Sequence, residues 1–353
     1  MKIIHCADVH LGSKMEAKLP KDKADERKGE VRATFNRLID YARREGVRAI
    51  LLAGDLFDSD RPLKKDKQFF YSAVKSNPQI DFLYLRGNHD SEESYTEFGL
   101  ENLKVFGEQW TSYIYEDVAI CGIEISKTNC SSMYSTLRLD PDFKNVVMLH
   151  GQVGDSSGVC KINLPKLRNK NIDYLALGHI HTHGGGKLDD RGAYAYCGCL
   201  EGRGFDETGE KGFVLIDTDG AINTRFIPFS QRTIVQTDAD ISGATDTYPA
   251  YLKVQEQLKI RPEDMLRLNL TGEISFTNET LAKDIEQYLN GICYFVSVKD
   301  ETQRKIEISD YEGDLSLRGE FIRTVLSDDK ISEADKHKII TIGLKALSGQ
   351  GVE

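Results

Sequence analysis

Five apolar runs of this 353-residue sequence are each followed immediately by side chains that can bind metal ions. Each run has the length and composition of a buried strand, so the residue after it lies on the rim of a rigid sheet, where a ligand can reach it. One such ending is usually a turn residue or a solvated cap, but five, several beside a glycine, indicate a metal site. The five endings are Asp8-Val9-His10, Gly54-Asp55, Gly87-Asn88-His89-Asp90, His150 and Gly178-His179-Ile180-His181.

The ligand types indicate which metals and which reaction to expect. Imidazole nitrogens mixed with carboxylate and amide oxygens favour manganese, with iron or zinc as alternatives, over calcium or magnesium alone. No cysteine stands among the ligand positions, which disfavours a structural zinc site. The set exceeds the needs of one ion and therefore predicts two. Two cations about 3.5–4 Å apart can hold both reacting oxygens of a phosphate ester, so we expect phosphoester hydrolysis.

In this order the five blocks resemble the signature of the calcineurin-like metallophosphoesterase superfamily. Within it, the opening stretch 4–12 (IHCADVHLG) and the stretch 54–58 (GDLFD) resemble the SbcD-type repair exonucleases, including the YhaO-like bacterial branch. The resemblance implies a four-layer αββα metallophosphoesterase sandwich with a small C-terminal α+β cap module and a helical tail. It also implies a two-metal phosphodiesterase that acts on DNA as an exonuclease subunit.

The same resemblance implies a role for each residue of the blocks. Asp55 would bridge both ions, and His89 would face the scissile phosphate and protonate the leaving oxygen. A histidine suits this work because its unperturbed pKa lies near neutrality. Asp58 would orient His89, at a position where some family members have a histidine. The remaining ligands would be Asp8, His10 and His181 for the first metal, and Asn88, His150 and His179 for the second.

Composition and charge constrain the partners. An apolar content of 40% with 29% charged residues is ordinary for a globular protein, and no apolar run reaches 18 residues. We therefore expect a cytoplasmic protein with no membrane partner. The formal net charge is −10, divided into −3 for residues 1–230 and −7 for residues 231–353. DNA binding would then need local basic clusters or a partner that supplies the surface.

Cations that could hold a phosphate backbone follow Asp58 in the sequence. Arg61, Lys64 and Lys65 would lie next to the metals if Asp55 ends a strand. A solvated surface loop is the alternative for all three. The loop before the first helix also mixes lysines with acidic residues, a pattern that favours a solvated surface over a DNA contact.

The elements that must position the ligands follow a β-α-β-α-β order over residues 1–85. Apolar residues at helical spacing predict helices over 22–44 and after Pro62, which implies parallel strands with right-handed crossovers. Short strands around a turn at Glu116-Asp117, and further strands after His181, predict a second sheet. His183 is predicted to lie outside the ligand set, and the glycines at 184–186 predict a mobile loop.

Beyond residue 230 the pattern changes. Residues 231–248 are rich in Thr, Asp, Ser and Gly, which predicts a linker or a domain edge. Alternating leucines at 266–270, an apolar helical face at 281–289 and alternation at 294–298 predict a small β-α-β module. Its position matches the cap of SbcD-type proteins, with a packing or homodimer contact as the alternative. The predicted domains are 1–232 (nuclease), 233–310 (cap) and 311–353 (helical tail).

The tail, residues 316–347, predicts two short helices with an apolar surplus. The second opens at Ser332-x-x-Asp335, close to a capping box. The helices could form a self-contained hairpin or dock on a partner. The resemblance implies a coiled-coil ATPase of SbcC type as that partner, since this chain has no Gly-x-x-x-x-Gly-Lys-[Ser/Thr] loop of its own. A small-molecule phosphodiesterase or phosphatase, or a non-catalytic assembly subunit, remain the alternative functions.

Overall fold

The computed structural model describes residues 1–15, 19–91, 99–155, 160–305 and 313–347. The chain divides into two compact units, the first formed by Met1–Val235 with Glu263–Met265 and the second by Gln236–Pro262 with Leu266–Glu353. The division falls within the stretch 231–248, where the composition predicted a domain edge. The predicted boundary between cap and tail, at residues 310 and 311, lies outside the described residues.

The described part of the first unit contains two six-stranded sheets and one two-stranded sheet. Its helices are α1 (Lys21–Arg44), α2 (Lys64–Lys75) and α3 (Met133–Thr136). Its strands are β1 (Lys2–Cys6), β2 (Val47–Ala53), β3 (Asp81–Leu85), β4 (Leu103–Val105), β5 (Thr111–Tyr115), β6 (Val118–Gly122), β7 (Lys144–His150), β8 (Gln152–Val153), β9 (Lys161–Ile162), β10 (Tyr174–Gly178), β11 (Gly184–Lys187), β12 (Ala193–Tyr196), β13 (Gly212–Asp217) and β14 (Asn223–Pro228).

The first sheet has the strand order β14-β13-β1-β2-β3-β4. Strands β1 to β4 are parallel, and β13 and β14 extend the β1 edge in antiparallel pairing. Helices α1 and α2 make the crossovers between the first three strands, as their apolar stripes predicted. The carboxyl ends of β1, β2 and β3 therefore meet at one edge, which is where open α/β sheets bind ligands.

The second sheet has the order β11-β12-β10-β7-β6-β5. Strands β6, β7, β10 and β12 are parallel, and β5 and β11 pair antiparallel at the two edges. The predicted turn between β5 and β6 is confirmed, with Glu116 in the left-handed region at φ 53°. Strands β7 and β10 end at His150 and directly before His179, so they bring two more ligand-bearing blocks to a common edge.

The prediction of a mobile loop at residues 184–186 is wrong, because these glycines begin edge strand β11. Gly185 pairs with Ala195 of β12. A Cβ atom on Gly185 would lie 2.2 Å from the carbonyl oxygen of Tyr194. Glycine is therefore needed here for close approach of two backbones and not for mobility.

The two large sheets pack face to face with helices outside them. The shared core takes side chains from both sheets, such as Leu51 and Leu83 from the first and Met148 from the second. On the outer face of the first sheet, α1 and α2 bury Phe35 and Phe70. On the outer face of the second, residues of α3 and of the 3₁₀ helix Leu164–Leu167 complete a further core. This is the four-layer αββα arrangement that the sequence predicted.

The second unit contains the predicted strand, helix and strand together with elements that were not predicted. Its three-stranded sheet has the order β15-β16-β18, and β17 pairs with β19. β15 and the first residues of α4 lie in the stretch 231–248, where a linker or a domain edge was predicted. The elements are β15 (Ile234–Asp240), α4 (Thr247–Gln257), β16 (Met265–Thr271), β17 (Glu273–Ile274), α5 (Leu281–Leu289), β18 (Phe295–Asp300) and β19 (Gln303–Arg304).

The tail forms the predicted pair of helices, α6 (Leu317–Leu326) and α7 (Glu333–Leu347). They pack on each other through Ile322, Val325, Ile340 and Leu344. Side-chain caps begin both helices: Ser316 accepts a hydrogen bond from the backbone of residue 318, and Ser332 accepts one from the backbone of Asp335 at 3.2 Å. Within the described ranges, no helix is both long enough and apolar enough for a membrane crossing.

Candidate metal centre

The loops that follow β1 and β2 continue the parallel pairing of those strands. The Asp8 amide donates to the Gly54 carbonyl at 3.0 Å, and the His10 amide donates to the Asp55 carbonyl at 3.1 Å. These bonds hold the side chains of Asp8, His10 and Asp55 on one rim. All three residues are almost fully buried.

The backbone at this rim is strained. Asp8, His10 and Asp55 have φ values of 50°, 51° and 51°, and His179 has 101°, although none of them is glycine. Each such conformation costs roughly 1–3 kcal/mol and persists only where the surrounding structure imposes it. Gly54, with φ of 95°, makes room for the site, because a Cβ there would lie 2.1 Å from His150 Nδ1.

The first cluster consists of Asp8, His10 and His181, whose donor atoms all lie within 4.8 Å of one another. His10 Nε2 lies 3.2 Å from His181 Nε2. The His179 amide donates to both carboxylate oxygens of Asp8, at 3.0 Å each. The cluster thus combines two residues from the first sheet with one from the second.

The second cluster consists of Asp55, His150 and His179, again with all donor atoms within 4.8 Å. The Asn88 side-chain oxygen lies 3.0 Å from His150 Nε2 and 3.0 Å from His179 Nδ1. Asp55 Oδ2 lies 3.4 Å from His150 Nε2. The structure therefore brings all seven predicted ligands together in two adjacent groups, each drawn from both sheets.

The donor atoms of the first cluster are arranged to bind a cation. His10 Nδ1 lies 3.1 Å from the Asp58 carboxylate and His181 Nδ1 lies 2.6 Å from that of Glu207. A carboxylate accepts and does not donate, so these contacts favour the tautomers with the proton on Nδ1 and the lone pair of Nε2 directed into the cluster. Two lone pairs facing each other across 3.2 Å repel unless a cation lies between them.

The buried carboxylates of the centre also require a positive charge nearby. Burial raises the pKa of Asp8 to about 7, so its anionic form is costly without a nearby positive charge. Burial also opposes the charges of Asp55 and His150, but their pairing prevails. The pKa of Asp55 lies well below its usual range, and the pKa of His150 is raised to about 9. A divalent cation can replace the His150 proton as the partner of Asp55.

His89 and Asp58 lie beside the clusters. The His89 amide donates to Asp55 Oδ1 at 2.9 Å. The His89 ring is exposed, with its centre 5.3 Å from that of His10. Asp58 Oδ1 contacts His10 and also accepts from Arg203 at 2.7 Å. The predicted role of Asp58 in orienting His89 stays a prediction, because the hydrogen bonds of its carboxylate go to other partners.

A model of the calcineurin-like phosphoesterase family matches residues 1–183, just over half of the chain. The match contains both clusters and His89. The chain belongs to the calcineurin-like phosphoesterase family. It is therefore a metal-dependent phosphoester hydrolase by family, and its two candidate clusters agree with the two divalent metals that such enzymes use.

Several known proteins are similar to this family member. It is 24% identical over 388 residues to the DNA double-strand break repair protein Mre11 of Sulfolobus acidocaldarius, with 99% of each chain covered. The protein of the same name from Sulfurisphaera tokodaii is 26% identical over 371 residues, which cover 97% of this chain and 92% of the relative. The uncharacterized metallophosphoesterase YhaO of Bacillus subtilis is 31% identical over 247 residues, or 64% of this chain and 60% of that protein.

Two solved structures resemble the phosphoesterase region. The protein TT1561 of Thermus thermophilus has a TM-score of 0.43 and 12% identity, covering 64% of this chain and 98% of that chain. A dimetal phosphatase from Danio rerio has a TM-score of 0.41 and 11% identity, covering 61% and 92%. The family match and the curated relatives confirm the predicted superfamily and the resemblance to DNA repair proteins.

Two of the three predicted phosphate contacts line neighbouring cavities, and the third lies at the start of α2. A cavity of about 620 Å³ adjoins Asp58 and is lined by Arg61 among others. A neighbouring cavity of about 360 Å³ is lined by Lys65, Lys28 and Arg32. Lys64 is exposed at the start of α2. The structure therefore places Arg61 in a cavity shared with Asp58, and contact of all three cations with substrate stays a prediction.

Two residues of the centre, Arg203 and Glu207, were missed by the sequence analysis. Both follow the matched span 1–183 and belong to no motif. Burial raises the pKa of Glu207, but hydrogen bonds from His181 and Arg203 prevail and hold it well below the usual range. His183 lies outside the clusters, as predicted, with Nδ1 bonded to the Tyr196 carbonyl at 2.9 Å and its ring stacked on Phe226.

Proposed function

We propose that this protein is a two-metal phosphodiesterase that degrades DNA, acting as the exonuclease subunit of a complex like SbcCD. The observation that carries the proposal is the convergence of seven metal-binding side chains into two adjacent clusters with a histidine beside them. The relatives that are named as DNA double-strand break repair proteins support DNA as the substrate, because the similarity extends over nearly all of both chains.

In this proposal Asp8, His10 and His181 hold one ion, while Asn88, His150 and His179 hold the other. Asp55 bridges them. When bound, the ions polarise the phosphate and supply an activated water. Manganese is the proposed metal, with iron or zinc as alternatives, since imidazole ligands suit transition metals.

The protein itself positions the metal ligands and the proposed general acid, His89. Asp55 accepts the His89 amide at 2.9 Å, so the proposed bridging ligand also fixes the backbone of the proposed acid. The exposed His89 ring can reach a leaving oxygen on a bound strand and donate a proton to it. Asp58 is proposed to keep His89 oriented, and Arg61, Lys64 and Lys65 to contact the phosphate backbone.

The tail is proposed to bind a coiled-coil ATPase of SbcC type. The hairpin buries its shared core, but apolar side chains remain on its outside: Leu315, Leu317 and Ile342 are 96%, 71% and 51% exposed. An amphipathic helix pair with an exposed apolar surface suits a helical partner. The relatives' role in DNA break repair supports a nucleic-acid-processing complex, and the cap in residues 233–310 is proposed to orient DNA or to form a homodimer contact.

A substrate panel tests the proposal. Purified protein with manganese is offered linear duplex DNA, single strands, cyclic nucleotides and bis-(p-nitrophenyl) phosphate, with and without the ATPase. We expect nucleotide release from linear DNA, stimulated by the ATPase. Turnover of cyclic nucleotides with no cleavage of DNA would instead establish a small-molecule phosphodiesterase. Absence of turnover on every substrate, in a protein that holds two ions, would favour a non-catalytic assembly subunit.

A further inference from the structure

The two histidines of the first cluster are held from behind by carboxylates. Glu207 Oε1 lies 2.6 Å from His181 Nδ1, and Asp58 Oδ1 lies 3.1 Å from His10 Nδ1. Glu207 is only 5% exposed. A buried carboxylate is costly unless it is paired, so its place behind a metal-binding ring calls for a reason.

Arg203 joins these two carboxylates. Its Nη1 donates to Asp58 Oδ1 at 2.7 Å, while its Nη2 and Nε donate to Glu207 Oε1 at 2.7 Å and 3.0 Å. The Arg203 amide donates to the other oxygen of Glu207 at 2.7 Å. One planar guanidinium thus fixes both acceptors, which a flexible ammonium group could not do.

The backbone of His181 is held by the same segment of the chain. Lys211 is 1% exposed, and its Nζ donates to the His181 carbonyl at 2.9 Å. The Cys199 amide donates to that carbonyl at 3.3 Å. Residues 199–211 therefore contact both the ring and the main chain of this ligand, although they lie beyond the span that the family model matches.

The second cluster is supported differently. His150 Nδ1 donates to the Ala53 carbonyl at 2.9 Å, a neutral acceptor. His179 Nδ1 faces the Asn88 oxygen within the cluster. Among the described residues, carboxylates stand behind the rings of the first cluster and not behind those of the second, so a change at Glu207 should affect one site and spare the other.

We infer that Arg203 and Glu207 are positioning residues for the first metal site, which hold the rings of His181 and, through Asp58, of His10 with Nε2 directed at the ion. The inference rests on the proposed two-metal function. Residues that fix a ligating histidine in this way typically contribute about 10–100-fold to metal affinity. Glu207 and Arg203 should therefore set the affinity of the first site.

The test is calorimetric titration of metal-free, full-length protein with Mn²⁺. We expect Glu207→Ala and Arg203→Ala to weaken one of two sites by about 10–100-fold and to leave the other unchanged. Glu207→Gln should have a smaller effect, because the amide oxygen still accepts from His181 without a charge. Glu210→Gln, at an exposed position three residues away, is the matched control and should bind like the wild type. Asp8→Ala identifies the weakened site, since it removes a ligand of the first cluster.

Two further measurements separate positioning from folding. The melting temperature of each metal-free variant shows whether the fold is retained, and Glu207→Gln keeps the test usable if the alanine variant does not fold. Turnover of bis-(p-nitrophenyl) phosphate should recover when Mn²⁺ is raised above the weakened affinity. Unchanged affinities in folded variants, or equal weakening of both sites, would overturn the inference. A wild-type protein that binds no Mn²⁺ would instead overturn the proposed function.

Discussion

Gly54→Ala should destabilise the protein and weaken metal binding at the second cluster while the first cluster is spared. Gly54 has φ of 95°, and an added Cβ would lie 2.1 Å from His150 Nδ1, well inside the shortest contact that carbon and nitrogen allow. The left-handed conformation costs alanine roughly 1–2 kcal/mol. Moving the His150 ring away also breaks its bond to the Ala53 carbonyl, a further loss of about 0.5–1.5 kcal/mol.

The expected loss is therefore about 1.5–3.5 kcal/mol of unfolding free energy, with a displaced His150 ring. A ligand displaced by about 1 Å can cost a site on the order of 100-fold in function, so Mn²⁺ affinity at the second cluster should fall while the first cluster keeps its own. Urea unfolding of the metal-free protein measures the first effect, and calorimetric titration with Mn²⁺ measures the second.

Gly220→Ala is the matched control. Gly220 has φ of 75°, and no atom lies within 4 Å of where its Cβ would be. It should show the backbone cost alone, about 1–2 kcal/mol, with both metal sites intact. If Gly54→Ala loses no more stability than this control and binds two ions normally, the close packing of Gly54 on His150 does not shape the site, and the reasoning is refuted.

Three further outcomes are expected. Asp55→Ala should abolish metal-dependent hydrolysis, because two cations then lack their shared ligand. His89→Ala should keep both ions and lose turnover of DNA. Measuring the bound metal and the activity of each variant distinguishes the two effects. Mn²⁺ affinity should rise with pH between about 6 and 9, since the pKa of His150 is raised to about 9 and its proton competes with the ion. Proton release measured by calorimetry in buffers of different ionisation enthalpy checks the sign, and affinity that is flat with pH would contradict it. Leu317→Glu with Ile342→Glu should abolish co-purification with the ATPase at a cost of about 2 kcal/mol or more, with unchanged turnover of bis-(p-nitrophenyl) phosphate; retained co-purification would reject the docking surface.

The sequence was sufficient to predict which side chains converge, because each follows a strand whose apolar run is visible without a structure. Strand order and parallel pairing bring Asp8 beside Asp55 in the first sheet and His150 beside His179 in the second, and the packing of the two sheets on each other joins the pairs. Arg203 and Glu207 could not be found in this way. Their contacts join residues far apart in the chain, and their loop has neither periodicity nor a motif that distinguishes it from an ordinary polar surface.

The errors have a similar physical origin. Glycine permits both a mobile loop and the closest approach of two strands, so the run at 184–186 is ambiguous until Tyr194 is placed beside it. The Thr- and Asp-rich composition of 234–240 hid strand β15, since its alternating buried positions are few. In the tail, helical spacing predicted both helices, but only their packing shows that Leu344 faces inward and Ile342 outward.

Each metal cluster takes ligands from both sheets, and this has a consequence for how the sandwich opens. Asp8 and Asp55 belong to one sheet and His181 and His150 to the other, so a bound ion would link the two sheets. Any motion that parts the sheets must release the ion first. At a free metal concentration about one hundred times the dissociation constant, each bound ion would add about 2.7 kcal/mol to the free energy of unfolding. Metal supply would then govern the stability of the folded protein as well as its chemistry.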